Sequence, residues 1–116
     1  MHDTPLTISS VLRRMRTVGG ASEVATLRGE AITRTTYAEV GERAQRLAAA
    51  LHALDVQQGD RVATFMWNNQ EHLELYYAVP SMGAILHTLN LRLFPEQLTY
   101  IVDHAEDHVI VVDDSV

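Results

Sequence analysis

Apolar positions recur along this chain with two spacings, and the spacing changes at glycine. Residues 7–17 carry Ile8, Val11, Leu12 and Met15 at helical intervals, with Arg13, Arg14 and Arg16 on the other side. Thr7 suits the cap of that helix, and Gly19-Gly20 ends it. Val24–Leu27 and Ala31–Thr35 alternate apolar and β-branched residues around Gly29-Glu30, which predicts a hairpin. The clearest helix signal covers 37–54. Thr36-Tyr37-Ala38-Glu39 has the form of a capping box, in which the Thr36 hydroxyl accepts from the Glu39 amide and the Glu39 carboxylate reaches back to the cap amide. Behind it Val40, Ala44, Leu47, Ala48, Leu51 and Leu54 share one face, with Glu42, Arg43, Gln45 and Arg46 away from it.

Gln58-Gly59-Asp60 reads as a turn, and Arg61–Met66 as a buried strand. Trp67-Asn68-Asn69 forms a loop crest, with Asn69 capping a helix over about residues 70–82. Pro80 has no amide to donate, so it predicts a kink or a frayed last turn. Gly83 is placed to be a left-handed stop. Ala84–Thr88 is the next strand, residues 89–94 an elbow, and Pro95 the first position of a helix. Leu98, Ile101, Val102 and Ala105 give that helix a buried face. Val109–Val112 is a continuous apolar, β-branched run, which predicts a strand covered on both faces. From Thr36 onward helix and strand alternate. That order predicts an α/β fold: a mostly parallel sheet flanked by helices, with right-handed crossovers and a short N-terminal hairpin.

Composition narrows the function classes. With 116 residues, 47% hydrophobic and 21% charged, the chain is a single ordinary globular domain. A net charge of -6 argues against a nucleic-acid binder, which needs a basic face for phosphates. No apolar run approaches the roughly 20 residues of a membrane span. The start of the chain lacks the layout of a signal peptide, so a cytoplasmic protein is expected. There is no cysteine, which removes thiolate chemistry and Cys-type zinc sites. All nine basic residues are arginines, so a mechanism that requires lysine cannot be completed within these residues.

The candidate chemistry is thin. His104 and His108 have the four-residue spacing of a helical metal site. A helix that ends near Ala105 breaks that geometry, and no metal site is expected. His87, within an apolar strand, reads as a hydrogen-bonded strand-end histidine rather than a base. Asp113-Asp114 resembles the acidic pair of receiver domains, but it lies near the end of the chain and has no lysine partner. It reads as a solvated strand end. Glu39 and Glu96 sit at helix starts, where the dipole favours them. Ser81 has no nucleophile-elbow context, and the glycines form no phosphate loop. Trp67, Tyr76 and Tyr77 lack a basic groove and read as core and loop anchors. No catalytic, cofactor-binding or metal residue is assigned.

In combination, three segments resemble the N-terminal part of an AMP-forming acyl-CoA synthetase, of the adenylate-forming superfamily. Thr36-Tyr37-Ala38-Glu39-Val40 is similar to the family's Thr-Tyr-x-Glu-Leu motif. Gly59-Asp60-Arg61-Val62 resembles its Gly-Asp-Arg-Val strand entry, and Met82-Gly83-Ala84 its second core motif. His87-Thr88-Leu89-Asn90-Leu91-Arg92-Leu93, with Trp67-Asn68 and His104–Asp107, looks like the medium- to long-chain fatty acyl-CoA ligase branch. The resemblance implies a partial N-terminal subdomain, residues 1–116, of a ligase that uses ATP, magnesium and CoA. In that family a fatty acid attacks the α-phosphate of ATP, and CoA then displaces AMP. The family's phosphate loop and its lysines have no counterpart here. The resemblance therefore implies structural roles for Thr36, Tyr37, Glu39, Gly59, Asp60, Arg61, Gly83, His87, Asn90 and Arg92. Asn90 and Arg92 are expected to bond loop carbonyls and a neighbouring carboxylate. The fragment is expected to be inactive alone and to bind no cofactor itself. Its expected partner is the remainder of the ligase chain, or a second copy through exposed apolar surface. The alternative reading is a stand-alone interaction module built on the same fold.

Overall fold

A computed structural model describes residues 3–116. Helix α1 (Ile8–Thr17) is capped by Thr7, whose side chain accepts from the Ser10 amide. Strands β1 (Glu23–Arg28) and β2 (Ala31–Thr36) pair antiparallel as the predicted hairpin, with Gly29 at φ 62° in the turn. Helix α2 (Tyr37–Ala53) carries both halves of the Thr36/Glu39 capping box. Strand β3 (Arg61–Phe65), helix α3 (Gln70–Ser81), strand β4 (Ile85–Thr88), helix α4 (Pro95–Ala105) and strand β5 (Val109–Val112) complete the chain.

The second sheet is parallel, in the order β4-β3-β5. The chain steps from β3 to β4 on one side, then crosses to β5 on the other. One face of this sheet holds the core. Leu51 near the end of α2, Val56 just after it, and Leu75 and Val79 from α3 pack on Val62, Leu86, Val109 and Val111. The opposite face meets the C-terminal end of α4, where the Arg61 Nε–H donates to the Ala105 carbonyl.

Several expectations change. Leu54, placed on the buried face of α2, is exposed because the helix has ended there. Leu98, Ile101, Val102 and Ala105 do form the inner side of α4, but only half-buried. Val109–Val112 is not covered on both faces. Val109 and Val111 reach the core, whereas Ile110 and Val112 are exposed on the far side. The apolar run on β5 thus reports a face that the described residues leave uncovered. Trp67, expected as a core or loop anchor, is 53% exposed, and Tyr76 is also exposed; Tyr77 is half-buried. Pro80 falls in the last turn of α3, next to the end at Ser81.

Helix α1 lies across α2 where Gly41 leaves room. A Cβ at Gly41 would stand 2.4 Å from the Arg16 Cγ, so the Arg16 stem occupies that space.

Candidate functional site

In an open parallel sheet, ligands bind outside the carboxyl ends of the strands, where the strand order reverses. Here that point lies between β3 and β5. A cleft of about 460 Å³ opens there, lined by Arg28, Met66, Asn69, Glu71, Asp113 and Asp114 among others.

Its side chains are already bonded to one another. Asn69 caps α3 through Oδ1, which accepts from the His72 amide at 2.9 Å. Its Nδ2–H donates to Asp113 Oδ2 at 2.9 Å, so one amide joins the helix start to the end of β5. Asp113 is therefore engaged and not merely solvated, as its position at a strand end had suggested. The Ser115 hydroxyl and amide, then Asn69 and the nearby Arg28, hold its carboxyl below the usual range. Arg28 donates from one nitrogen to both Glu71 oxygens, at 2.7 and 2.9 Å, which ties the hairpin to α3. The cation of the cleft is thus committed to a carboxylate.

Below the cleft lies a polar pair that sequence reasoning missed. The His72 ring is buried, with Nε2 2.9 Å from the Thr64 hydroxyl. Its Nδ1 is 3.1 Å from the Trp67 carbonyl. A carbonyl only accepts, so Nδ1 carries the proton and the hydroxyl donates to Nε2. Burial lowers the His72 pKa, against a smaller raising effect from the Trp67 carbonyl. The ring is a neutral bracket between β3 and α3. Alternation within residues 61–66 marks Thr64 as inward, but no local signal names its partner.

The second missed pair joins α2 to α3. Glu74 is buried and accepts from the Arg43 Nε–H at 2.5 Å and from Gln70 at 2.9 Å. Arg43 was expected to point away from the packed face. Its side chain does stay 46% exposed, and the bond to the Glu74 carboxylate raises its pKa.

The motif residues fall into four groups. Thr36, Tyr37 and Glu39 form the start of α2, with Thr35 and Thr36 holding the Glu39 carboxyl below its ordinary range. Gly59, Asp60, Arg61 and Gly83 join the two strand entries. The Gly59 amide donates to the Gly83 carbonyl at 2.9 Å, and the Asp60 side chain accepts from the Gln57 amide at 2.7 Å. His87 reaches from β4 to Asp107, with Nδ1 2.9 Å from both carboxylate oxygens. In the elbow, Asn90 Oδ1 accepts from the Arg92 amide at 2.9 Å. The guanidinium of Arg92, expected to meet a carboxylate, is exposed and makes no ion pair among the described residues. The Asn90 side chain, expected to bond a loop carbonyl, accepts the Arg92 amide instead.

His104 and His108 do not share a helix. It ends at Ala105, and Glu106 takes a left-handed φ of 53°. His104 stacks on Tyr100 instead. Among the described residues no three His, Asp or Glu side chains converge as a metal site. These residues include no lysine. No chemical step is assigned to them.

The family profile described as AMP-binding enzyme matches residues 15–116. The chain belongs to that family. It is 49% identical over 114 residues to the long-chain-fatty-acid–CoA ligase of Thermus thermophilus, covering 97% of the chain and 21% of the relative. To the medium-chain-fatty-acid–CoA ligase of Ectopseudomonas oleovorans it is 46% identical, over 99% of the chain and 21% of the relative. Among solved structures, a Mycobacterium tuberculosis fatty acyl CoA synthetase superposes with a TM-score of 0.79 at 30% identity. That match covers 91% of the chain and 21% of the synthetase. The chain of this AMP-binding family member spans about a fifth of the length of these ligases. Its fold is that of the N-terminal part of the adenylate-forming fold, as the sequence resemblance implied.

Proposed function

We propose that residues 1–116 form one N-terminal subdomain of a fatty acid–CoA ligase, a scaffold that is inactive alone. The whole ligase would join a fatty acid to CoA through an acyl-adenylate, using ATP and magnesium held by the rest of the polypeptide. The observation that carries this reading is the engagement of the family motifs. Thr36 and Glu39 cap a helix, Gly59 and Gly83 join two strand entries, and His87 is tied to Asp107. These motif residues are spent on holding elements together.

The partner in this reading is the remainder of the ligase, in the cytoplasm. Support comes from the far face of the sheet, where Ile85, Ile110 and Val112 are exposed, and from Phe94 and Tyr100 nearby in sequence on α4 and its cap. Surface of this kind is characteristic of a contact. Self-association through it is the behaviour expected of the chain by itself. No helix of the described residues is long and apolar enough to cross a membrane.

Two measurements test the proposal. The purified chain, given fatty acid, ATP, magnesium and CoA, should form neither acyl-CoA nor AMP; turnover would overturn the scaffold reading. A chimera that carries these residues in place of the matching fifth of the Thermus ligase should retain ligase activity. A folded but inactive chimera would show that this segment is not an equivalent scaffold.

A further inference from the structure

Two grooves flank helix α1, and they differ in charge. The one that holds Arg13 and Arg16 also has Glu42 of α2 in its wall. The other is a cavity of about 240 Å³ with Arg14 in its wall and no acidic residue. Among the described residues Arg14 takes part in no ion pair. Val11, Met15 and Val18 supply the aliphatic part of this cavity, and Tyr37 and Tyr77 contribute aromatic rings.

Three elements meet at this cavity, each placed by the sequence. Val11, Arg14 and Val18 recur at intervals of three and four, so they line one edge of α1 and its cap. Gly20 lets the chain turn close against the start of α2. A Cβ there would stand 3.1 Å from the Arg16 carbonyl oxygen and 3.3 Å from the Ala38 Cβ. The Ala38 amide donates to the Gly20 carbonyl at 3.0 Å and the Tyr37 amide to the Ser22 carbonyl at 2.9 Å, which fixes Tyr37 beside the cavity. Tyr77 comes from α3 and is half-buried. Burial raises the pKa of its hydroxyl, with a smaller push from the nearby Tyr37 phenol and none from a hydrogen bond. The Tyr77 phenol is therefore protonated at neutral pH, with its O–H available to a ligand.

We propose that this cavity binds a small monocarboxylate, with the carboxylate on the Arg14 guanidinium and the Tyr77 hydroxyl and the apolar body against Val11, Met15 and Val18. The chemistry of the walls selects this class. One guanidinium matches one carboxylate through two parallel N–H donors. A phosphate would bring further charge with no second cation to meet it. The volume lies below the roughly 300–1,000 Å³ of pockets for drug-sized ligands, so the body is short, of the size of hexanoate or benzoate. The site shares no lining residue with the cleft at the ends of β3 and β5, and the inference does not rest on the ligase reading.

Titration calorimetry and amide chemical-shift mapping of the chain with sodium hexanoate provide the test. Saturable binding is expected, with the shifts centred on Gly19, Ser22 and Tyr37. Acetate has the charge without the body, and hexanol the body without the charge. Each should bind at least about 10-fold more weakly than hexanoate. Arg14→Gln should lower the affinity by roughly 10-fold and Tyr77→Phe by roughly 3-fold. Arg14 is exposed, so its variant keeps the fold, which an unchanged circular dichroism spectrum verifies. Arg13→Gln, in the opposite groove, should leave the affinity unchanged; a loss equal to that of Arg14→Gln would reduce the effect to net charge and overturn the proposal. Absence of saturable binding, shifts centred elsewhere, or an affinity that Arg14→Gln retains would also overturn it. Equal displacement by inorganic phosphate at matched ionic strength would overturn the carboxylate class.

Discussion

The amide of Gly59 donates to the carbonyl of Gly83 at 2.9 Å, and both residues have positive φ, 87° and 82°. One residue beyond Gly59, the Asp60 carbonyl accepts from the Ile85 amide at 2.8 Å. The turns that start β3 and β4 are thus zipped together before the strands begin. The two glycines differ in their surroundings. A Cβ at Gly59 meets nothing within 4 Å, whereas one at Gly83 stands 3.0 Å from the Gln58 Cγ. Gly59→Ala should cost about 1 kcal/mol for the left-handed backbone alone. Gly83→Ala should cost more, about 2 kcal/mol, with the excess relieved by Gln58→Ala. Urea unfolding of the single and double variants checks both the order and the relief.

Arg43→Met should destabilise the chain by about 2 kcal/mol, because Glu74 is left buried with Gln70 as its remaining partner. The loss is moderated by the partial exposure of Arg43. Glu74→Gln in the Arg43→Met background should recover part of it by removing the unpaired charge. A double-mutant cycle measures the coupling, and additive losses would deny that the two side chains act as a pair.

His72 should make stability fall on the acid side of neutrality. Its folded pKa is lowered by burial, so above the ordinary value of about 6.5 the ring is neutral in both states and costs nothing. As pH drops below that value the unfolded chain takes up the proton first, and stability declines until the lowered folded pKa is reached. His72→Gln should flatten this part of the profile while costing stability at pH 8. Chemical denaturation at stepped pH reads both effects.

The Ser81 hydroxyl is buried and has no hydrogen-bond partner among the described residues. Ser81→Ala should therefore stabilise the chain by about 1 kcal/mol. A rise in the urea midpoint with an unchanged slope is the expected result; a fall would mean that the hydroxyl is satisfied in solution.

What could be read from the sequence was what neighbours in the chain decide. Thr36 and Glu39 are three residues apart, as are Asn69 and His72, and both caps form as their spacing requires. The stop at Gly83 and the start at Pro95 are likewise local. Arg43 and Glu74 are 31 residues apart, and Arg28 and Glu71 are 43 apart, so nothing near either cation announces its carboxylate. The same limit explains β5. Four apolar residues in a row record that both faces favour cover, not that the cover comes from within these residues. Asp113 shows it at the candidate cleft, where a strand-end acid takes its meaning from Asn69, 44 residues earlier.

The central place of β3 has a dynamic consequence. It is the one strand of the parallel sheet with hydrogen-bonded neighbours on both sides, while β4 and β5 each have one. Opening β4 or β5 separately breaks one ladder, but freeing β3 requires breaking both. Amide protons of Val62 to Thr64 should then exchange with solvent at the slow limit set by global unfolding, and those of the outer strands through cheaper local openings. The sheet behaves as one rigid spine with two detachable margins.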